Sequence, residues 1–254
     1  MRIATFNILN GRAPGEEVDE DGYIEAIASL DADVLALQEV DRNQPRSRHA
    51  DLTRLAAEAT GAVESRFAAT LTGTAGTTWS AATGQEHPDS AAYGVALLSR
   101  FPVDSWRELR LPPAPLPLPH RFHGRRWPQL VRDEPRVALV ASLRTPEGTV
   151  SVVCTHLSFL PFWNGVQLRR LVRALRDDDD LVLLGDLNMP PARAHALTGM
   201  RALACGLTFP AADPSQQIDH ILARGTPRAR GDGTPVRLKV SDHLALAAEV
   251  RLRG

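Results

Sequence analysis

Leu183-Leu184-Gly185-Asp186-Leu187-Asn188 is an apolar run that stops at a glycine and then displays a carboxylate and a carboxamide two residues apart. In extended chain, residues i and i+2 project on the same side, so Asp186 and Asn188 present their polar groups together. Asp and Asn are also favoured in turns, and in isolation the segment admits that plainer reading. Its surroundings decide the fold. Leu181 to Leu184 reads as a buried strand. Before it, Gln167 to Leu175 carries Leu168, Leu171, Val172 and Leu175 on one helical face, and Val150 to Thr155 reads as a strand. The same order of strand, helix and strand opens the chain: residues 2 to 8, then Asp21 to Leu30 with Ile24, Ile27 and Ala28 at helical spacing, then Val34 to Leu37.

Each unit places polar residues where its strands end. Asn7 and Glu39 lie at or just beyond the carboxyl ends of the first pair of strands, and His156 and Asp186 take the same places in the second. Ligands of α/β sheets bind at the carboxyl ends of strands, so two halves facing one another converge four polar groups into one cleft. This layout predicts a two-sheet sandwich with helices outside. Further strands are expected at Val63 to Leu71, Gly94 to Ser99, Val103 to Leu109, Val137 to Leu143, Ile218 to Leu222, Val236 to Lys239 and Leu244 to Arg251. Short turns separate them, so many are antiparallel. Residues 72 to 90, rich in Gly, Thr, Ser and Ala, and 111 to 128, rich in proline, read as long loops without strand or helix. The 254 residues are expected to form one domain, 1–254, with a substantial core.

Two more segments carry chemistry. Val240-Ser241-Asp242-His243-Leu244 sets a carboxylate beside an imidazole just before the terminal apolar strand, and Gln217-Ile218-Asp219-His220-Ile221-Leu222 offers a carboxylate able to orient an imidazole. Alternation turns Asp219 and His220 to opposite faces, so one of them reaches the cleft, and Asp219 is the expected one. Leu37-Gln38-Glu39-Val40 and Thr155-His156-Leu157 complete the set. Singly, each segment is a strand end facing water. Together they supply hard oxygen ligands, amides and histidines in the proportions of a Mg²⁺ (or Mn²⁺) phosphoesterase, since Mg²⁺ takes one or two carboxylates and keeps several waters, whereas zinc prefers His and Cys.

The ordered series Thr5-Phe6-Asn7, Leu37-Gln38-Glu39-Val40, Gly94-Val95-Ala96-Leu97-Leu98-Ser99-Arg100, Thr155-His156-Leu157, Gly185-Asp186-Leu187-Asn188, Ile218-Asp219-His220 and Ser241-Asp242-His243 resembles the endonuclease/exonuclease/phosphatase (DNase I-like) superfamily. That superfamily takes in DNase I-like nucleases, abasic-site endonucleases, inositol polyphosphate 5-phosphatases and neutral sphingomyelinases. The resemblance implies a four-layer α/β sandwich, two packed mixed β-sheets flanked by helices. It implies that Glu39 is the principal metal ligand with Asn7 close to metal and phosphate, and that Asp242 supports the metal region. Asp186 and Asn188 would position the attacking water and a phosphoryl oxygen, His243 would pair with Asp219, and His156 would contact the phosphate. The pattern leaves open whether His243 or Asp186 takes the proton from water.

Two departures from the abasic-site endonucleases stand out. Those enzymes carry a tyrosine before the Gly-Val-x-Leu-Leu-Ser run, where this chain has Ala92 with Tyr93 displaced by one, a shift expected to turn the ring to the other face of the strand. Leu9 stands where they have a carboxylate. Both differences count against abasic-site repair.

Composition narrows the partners. With 43% hydrophobic and 23% charged residues the chain is an ordinary globular one. A formal net charge of −1 gives it no overall positive field for nucleic acid, although a local basic groove would remain compatible with binding it. A small-molecule or lipid-headgroup phosphoester is therefore the favoured substrate, nucleic acid the second, and a catalytically inert binding module on the same fold a minor third. Lys239 is the only lysine among 29 basic residues. Cys154 and Cys205 suit no disulfide framework and are expected to be buried. A cytoplasmic location is expected, because no signal peptide or long apolar run is present, and the chain is expected to be a monomer. Arg121, Arg125, Arg126 and Trp127 form a basic, aromatic stretch that reads equally as a clamp for an anionic group or as a solvated loop. Arg46 and Arg48 are weaker candidates of the same kind. Asp177 to Asp180 reads as a solvated connection.

Overall fold

Two mixed sheets pack face to face, with helices on both outer faces, in the computed structural model, which describes residues 1–120 and 126–252. The first sheet contains β1 (Arg2–Asn7), β2 (Val34–Arg42), β3 (Glu64–Thr72), β4 (Ser80–Ala81) and β5 (Ala92–Ser99). The second contains β6 (Val103–Leu111), β9 (Arg136–Thr145), β10 (Gly148–His156), β11 (Leu181–Asp186), β12 (Arg201–Ala202) and β13 (Asp219–Arg224). Between β6 and β9 the chain makes a separate hairpin of β7 (Leu118–His120) and β8 (Gln129–Val131). It then returns to the first sheet with β14 (Arg228–Ala229), β15 (Thr234–Val236) and β16 (Ala245–Arg251). The strand orders are β14-β16-β1-β2-β5-β3-β4, with β15 also on β16, and β12-β13-β11-β10-β9-β6. Each sheet has one parallel pair at its centre, β1 with β2 and β10 with β11, and these are the two strand–helix–strand units of the sequence.

Alternation along these strands builds the layers. Ile3, Val34, Ala36 and Leu97 meet Leu139, Val152, Val182 and Ile221 between the sheets. Residues one step out of phase face outward: Phe6, Leu35, Leu37 and Leu98 pack under α1 (Glu20–Ser29) and α2 (Leu52–Thr60) with Tyr23, Ile27 and Leu52. Val140, Val153 and Leu183 pack under α3 (Trp163–Ala174) and α4 (Pro191–Thr198) with Leu168, Leu171 and Ala194. Burying each such leucine or isoleucine is worth about 1.5–3 kcal/mol, and a strand with both faces covered can afford no charge except where the sheets part.

Several sequence expectations are revised. Residues 72–90 and 111–128 were expected to lack strands, yet β4 and β7 form within them, each against a neighbour that pattern alone could not supply. The strand expected over Val236 to Lys239 lies earlier, at β15. The short helices α2 and α4 escaped the periodicity reading, having few large apolar residues. They are set instead by their ends, α2 by the Asp51 side chain accepting from Arg54 N and α4 by Pro191 at its start. Cys154 is buried but Cys205 is exposed, in the loop after β12. Arg121 and Arg125 lie outside the described residues.

Glu39 does not end its strand. β2 runs on to Arg42, and between Leu37 and Val40 its register with β5 slips by one residue, with Glu39 at φ +56°. Leu35, Leu37 and Val40 all face the α1/α2 layer, so the one extra residue is a β-bulge that turns Glu39 out of the helix-facing row. A second close fit lies at Gly185, where φ is +149° and an added Cβ would stand 1.9 Å from the Thr155 carbonyl oxygen of the parallel neighbour.

Candidate active site

The register of three strands assembles the centre of the cleft. His156 on β10 and Asp219 on β13 both pair directly with Asp186 on β11, so all three side chains share one face of the second sheet. His156 Nε2 lies 3.5 Å and His243 Nε2 3.9 Å from Asp186 Oδ2. From the first sheet, Asn7 Nδ2 donates to Glu39 Oε1 at 3.1 Å and to Asp186 Oδ2 at 3.2 Å, which closes the cleft from sheet to sheet. The Asn7 oxygen accepts from Leu9 N–H, so its amide braces both carboxylates.

His243 is held from two directions. Its Nδ1 meets Asp219 Oδ2 at 2.9 Å, and its backbone N–H donates to Ser241 Oγ, which itself donates to the Asn7 carbonyl. Burial pulls the His243 pKa down, but the adjacent Asp219 charge and bond outweigh it and hold the imidazolium up to about 10. Asp186 is pushed up to about 7, first by burial and then by the Asp219 charge, against the opposing pull of His243, Asn188 N–H and Asn7. Glu39 is also raised by loss of water, with the Asn7 bond opposing. His156 is lowered well below its ordinary value by burial and by the Arg136 and His243 cations, which leaves it neutral. Asn188, at φ +51°, sets its amide nitrogen 3.2 Å from His156 Nε2 and donates to the Leu157 carbonyl.

The structure thus brings together Asn7, Glu39, Asp186, Asn188, His156, Asp219 and His243. Asp242 is partly exposed beside them, its charge felt by Glu39 and His243. The donor atoms of Asp186, Asp219 and His243 lie within 4.8 Å of one another, and Asp219 Oδ1 is buried with no hydrogen-bond partner. Crowded, desolvated carboxylates with an unsatisfied oxygen are a donor set that suits a hard divalent cation.

Two residues at the site escaped the sequence reading, and a third, Tyr93, lies on another face than expected. Arg136, 4% exposed, opens β9 within the field of Glu39 and His156. Its Nε has no partner and its ion pair with Glu134 is 3.5 Å long. Asn164, fully buried in the first turn of α3, donates to the Asn188 carbonyl at 2.7 Å. Tyr93 was expected to face away, but it shares the phase of Val95 and Leu97 on the inter-sheet side and lies in the field of Glu39 and Arg136. No motif marks Arg136 or Asn164, since a lone Arg or Asn at the start of an element is ordinary in sequence. Among the weaker candidates, Arg46 has Nε and one Nη committed to buried Asp41 at 2.8 Å each and lies over Trp79 and Tyr93. Arg48 pairs with exposed Glu17 at the surface. Arg126 lies over the ring of Trp127, and both are exposed.

The model of the Endonuclease/Exonuclease/phosphatase family matches residues 4–243. Solved structures with the same fold include an endonuclease/exonuclease/phosphatase from Beutenbergia cavernae, 24% identical over 100% of this chain and 72% of that one, with a TM-score of 0.70. Sphingomyelinase C from Streptomyces griseocarneus is 16% identical over 98% of each chain with a TM-score of 0.64. A mannosyl-6-phosphatase from Bacteroides thetaiotaomicron is 13% identical over 99% of each chain with a TM-score of 0.61. No curated protein sequence matches.

Proposed function

The chain belongs to the endonuclease/exonuclease/phosphatase family, and from that membership we propose that it is a divalent-metal-dependent phosphoesterase acting on a small or lipid-derived phosphoester. The observation that carries the reading is the meeting of Glu39 and Asp186 across the two sheets on one Asn7 amide, beside the Asp219–His243 pair. Mg²⁺ or Mn²⁺ would be held by Glu39, with Asn7 and Asp242 close by, and would supply positive charge against the negative charge that develops on the phosphoryl oxygens.

The chain's own residues do the rest. Asp186 is placed to take a proton from water, being a carboxylate raised toward neutrality with an imidazole on either side. His243, kept protonated by Asp219, offers Nε2–H to a phosphoryl or leaving-group oxygen. Neutral His156 and the Asn188 amide orient the phosphate, and Arg136 brings a permanent cation with an unpartnered Nε–H to the same group. The net charge of −1 favours a small or lipid-derived substrate over a long polyanion.

Hydrolysis of a soluble aryl phosphate, an aryl phosphodiester, sphingomyelin, inositol phosphates and DNA, each with Mg²⁺, Mn²⁺ or excess chelator, tests the reading. Turnover of a small or lipid phosphoester that stops in chelator and returns with Mg²⁺ or Mn²⁺ is expected. Full activity in chelator with no metal retained would end the metal assignment, and preference for DNA would end the substrate assignment.

A further inference from the structure

Among the described residues Arg136 is the only buried arginine, and its Nε–H is without a partner. Its ion pair is a 3.5 Å contact from one Nη to Glu134, whose side chain is 44% exposed. A buried cation with an unmet donor is costly, and such a group calls for a ligand or ion to meet it. Its place in the fold points to that ligand. β9 runs beside β10 with Ala138 opposite Thr155, so Arg136, at the start of β9, lies next to the end of β10 where His156 stands. It thus flanks His156 on the side away from Asp186, whose strand β11 is the other neighbour of β10. The cation acts on His156 more strongly than His243 does, and it is felt by Glu39 and Tyr93 from the opposite sheet.

The other charges around it are already matched. His243 is paired with Asp219 at 2.9 Å, and Glu39 and Asp186 share the Asn7 amide. Asp133, the buried acid three residues before Arg136, accepts from Ala114 N–H and from the Ser158 hydroxyl. Arg46 is held by both oxygens of buried Asp41. Arg136 is therefore the cation of the site that lacks a buried counter-charge. A phosphodiester brings a single negative charge, which the His243 imidazolium and a metal at Glu39 are placed to meet. A phosphomonoester presents a further terminal oxygen and carries a charge of about −2 near neutral pH. A planar guanidinium with a free N–H at the edge of the phosphate site fits that extra oxygen and charge.

We propose that Arg136 makes the cleft selective for dianionic phosphoryl groups, so that the substrate is a phosphomonoester and not a phosphodiester. The substrate half of this statement rests on the phosphoesterase reading, but selection of a dianion is also visible in binding alone, and the two are measured apart.

The test combines two measurements with Mg²⁺ present at about pH 8, where inorganic phosphate and phosphomonoesters are dianions. One is calorimetric binding of inorganic phosphate and of dimethyl phosphate. The other is kcat/KM for an aryl phosphate and for the methyl ester of that same aryl phosphate. The wild type should bind inorganic phosphate the more tightly. Arg136→Met should weaken that binding and lower kcat/KM for the monoester by about thirtyfold or more. The diester should lose much less, so that the monoester-to-diester ratio falls by at least about tenfold. Arg136→Lys keeps the charge without the planar fork and should recover part of the ratio. A merely structural arginine would depress both esters alike. Should Arg136→Met misfold, Arg136→Lys alone makes the comparison, with a smaller fall in the same ratio. Equal losses on the two esters, phosphate binding that ignores the substitutions, or a wild type that binds dimethyl phosphate as tightly as inorganic phosphate overturns the proposal. Arg136-dependent binding of phosphate without turnover of either ester would overturn the phosphoesterase reading and leave the dianion site standing.

Discussion

Asp186 is gripped from both neighbouring strands and from the opposite sheet, and its chemistry follows from that crowding. Two carboxylates and two imidazoles in so small a dry volume cannot all keep their ordinary protonation, and the pairing of His243 with Asp219 removes most of the conflict. If the two act as one unit, His243→Ala and Asp219→Ala should each lower kcat/KM by roughly 10² to 10⁴, and the double variant should be little worse than the poorer single one. Losses that multiply would separate them. The same pair carries a pH signature: His243 is raised when folded, from 6.5 to about 10, so its stabilisation is complete below 6.5 and fades as pH rises through about 10. Asp219→Asn should therefore destabilise most near neutral pH, and its melting temperature should approach that of the wild type at alkaline pH.

At the scale of elements, the cleft depends on two irregularities of otherwise regular strands. The bulge at Glu39 turns that carboxylate out of the helix-facing row it would share with Leu35 and Leu37. Gly185 lets β10 and β11 approach closely enough for His156 and Asp186 to lie side by side. Gly185→Ala must overlap the Thr155 carbonyl and hold alanine at φ +149°. A loss on the order of 3 kcal/mol is expected, with a fall in kcat even where the protein remains folded, because the overlap spreads the two strands that carry His156 and Asp186. Urea unfolding together with steady-state kinetics measures both. A neutral result would mean that the strands have room to part without moving the site.

At the scale of the whole molecule, the cleft is a seam between sheets: Asn7 and Glu39 come from one, and His156, Asp186 and Asp219 from the other. A cation bound across that seam binds only the folded chain. At a hundred times its Kd it adds about 2.7 kcal/mol, and with a shift of about 2 °C per kcal/mol for a chain of this length the melting temperature should rise by roughly 5 °C. Differential scanning calorimetry with Mg²⁺ and with Mn²⁺ against chelator reads the shift. Glu39→Gln should remove most of it. A wild-type protein whose melting ignores both ions would leave the seam without its proposed metal.

Periodicity and strand-end chemistry were local, and the sequence by itself determined what depends on them: the two strand–helix–strand units, the apolar faces of their helices, and the segments around Asn7, Glu39, His156, Asp186, Asp219 and His243. Short-range patterns carry that information because each apolar row needs only its own spacing to be recognised. Tertiary structure alone decided the rest. Glu39 reaches the cleft through a register slip against β5, which is a property of two strands and not of one. Tyr93 faces inward and Arg136 lies buried near the carboxylates for the same reason. Asn164 matters because α3 begins within hydrogen-bond reach of Asn188, 24 residues later in the chain. In each case the deciding contact joins residues far apart in sequence, and its geometry is set only when the sheets and helices pack.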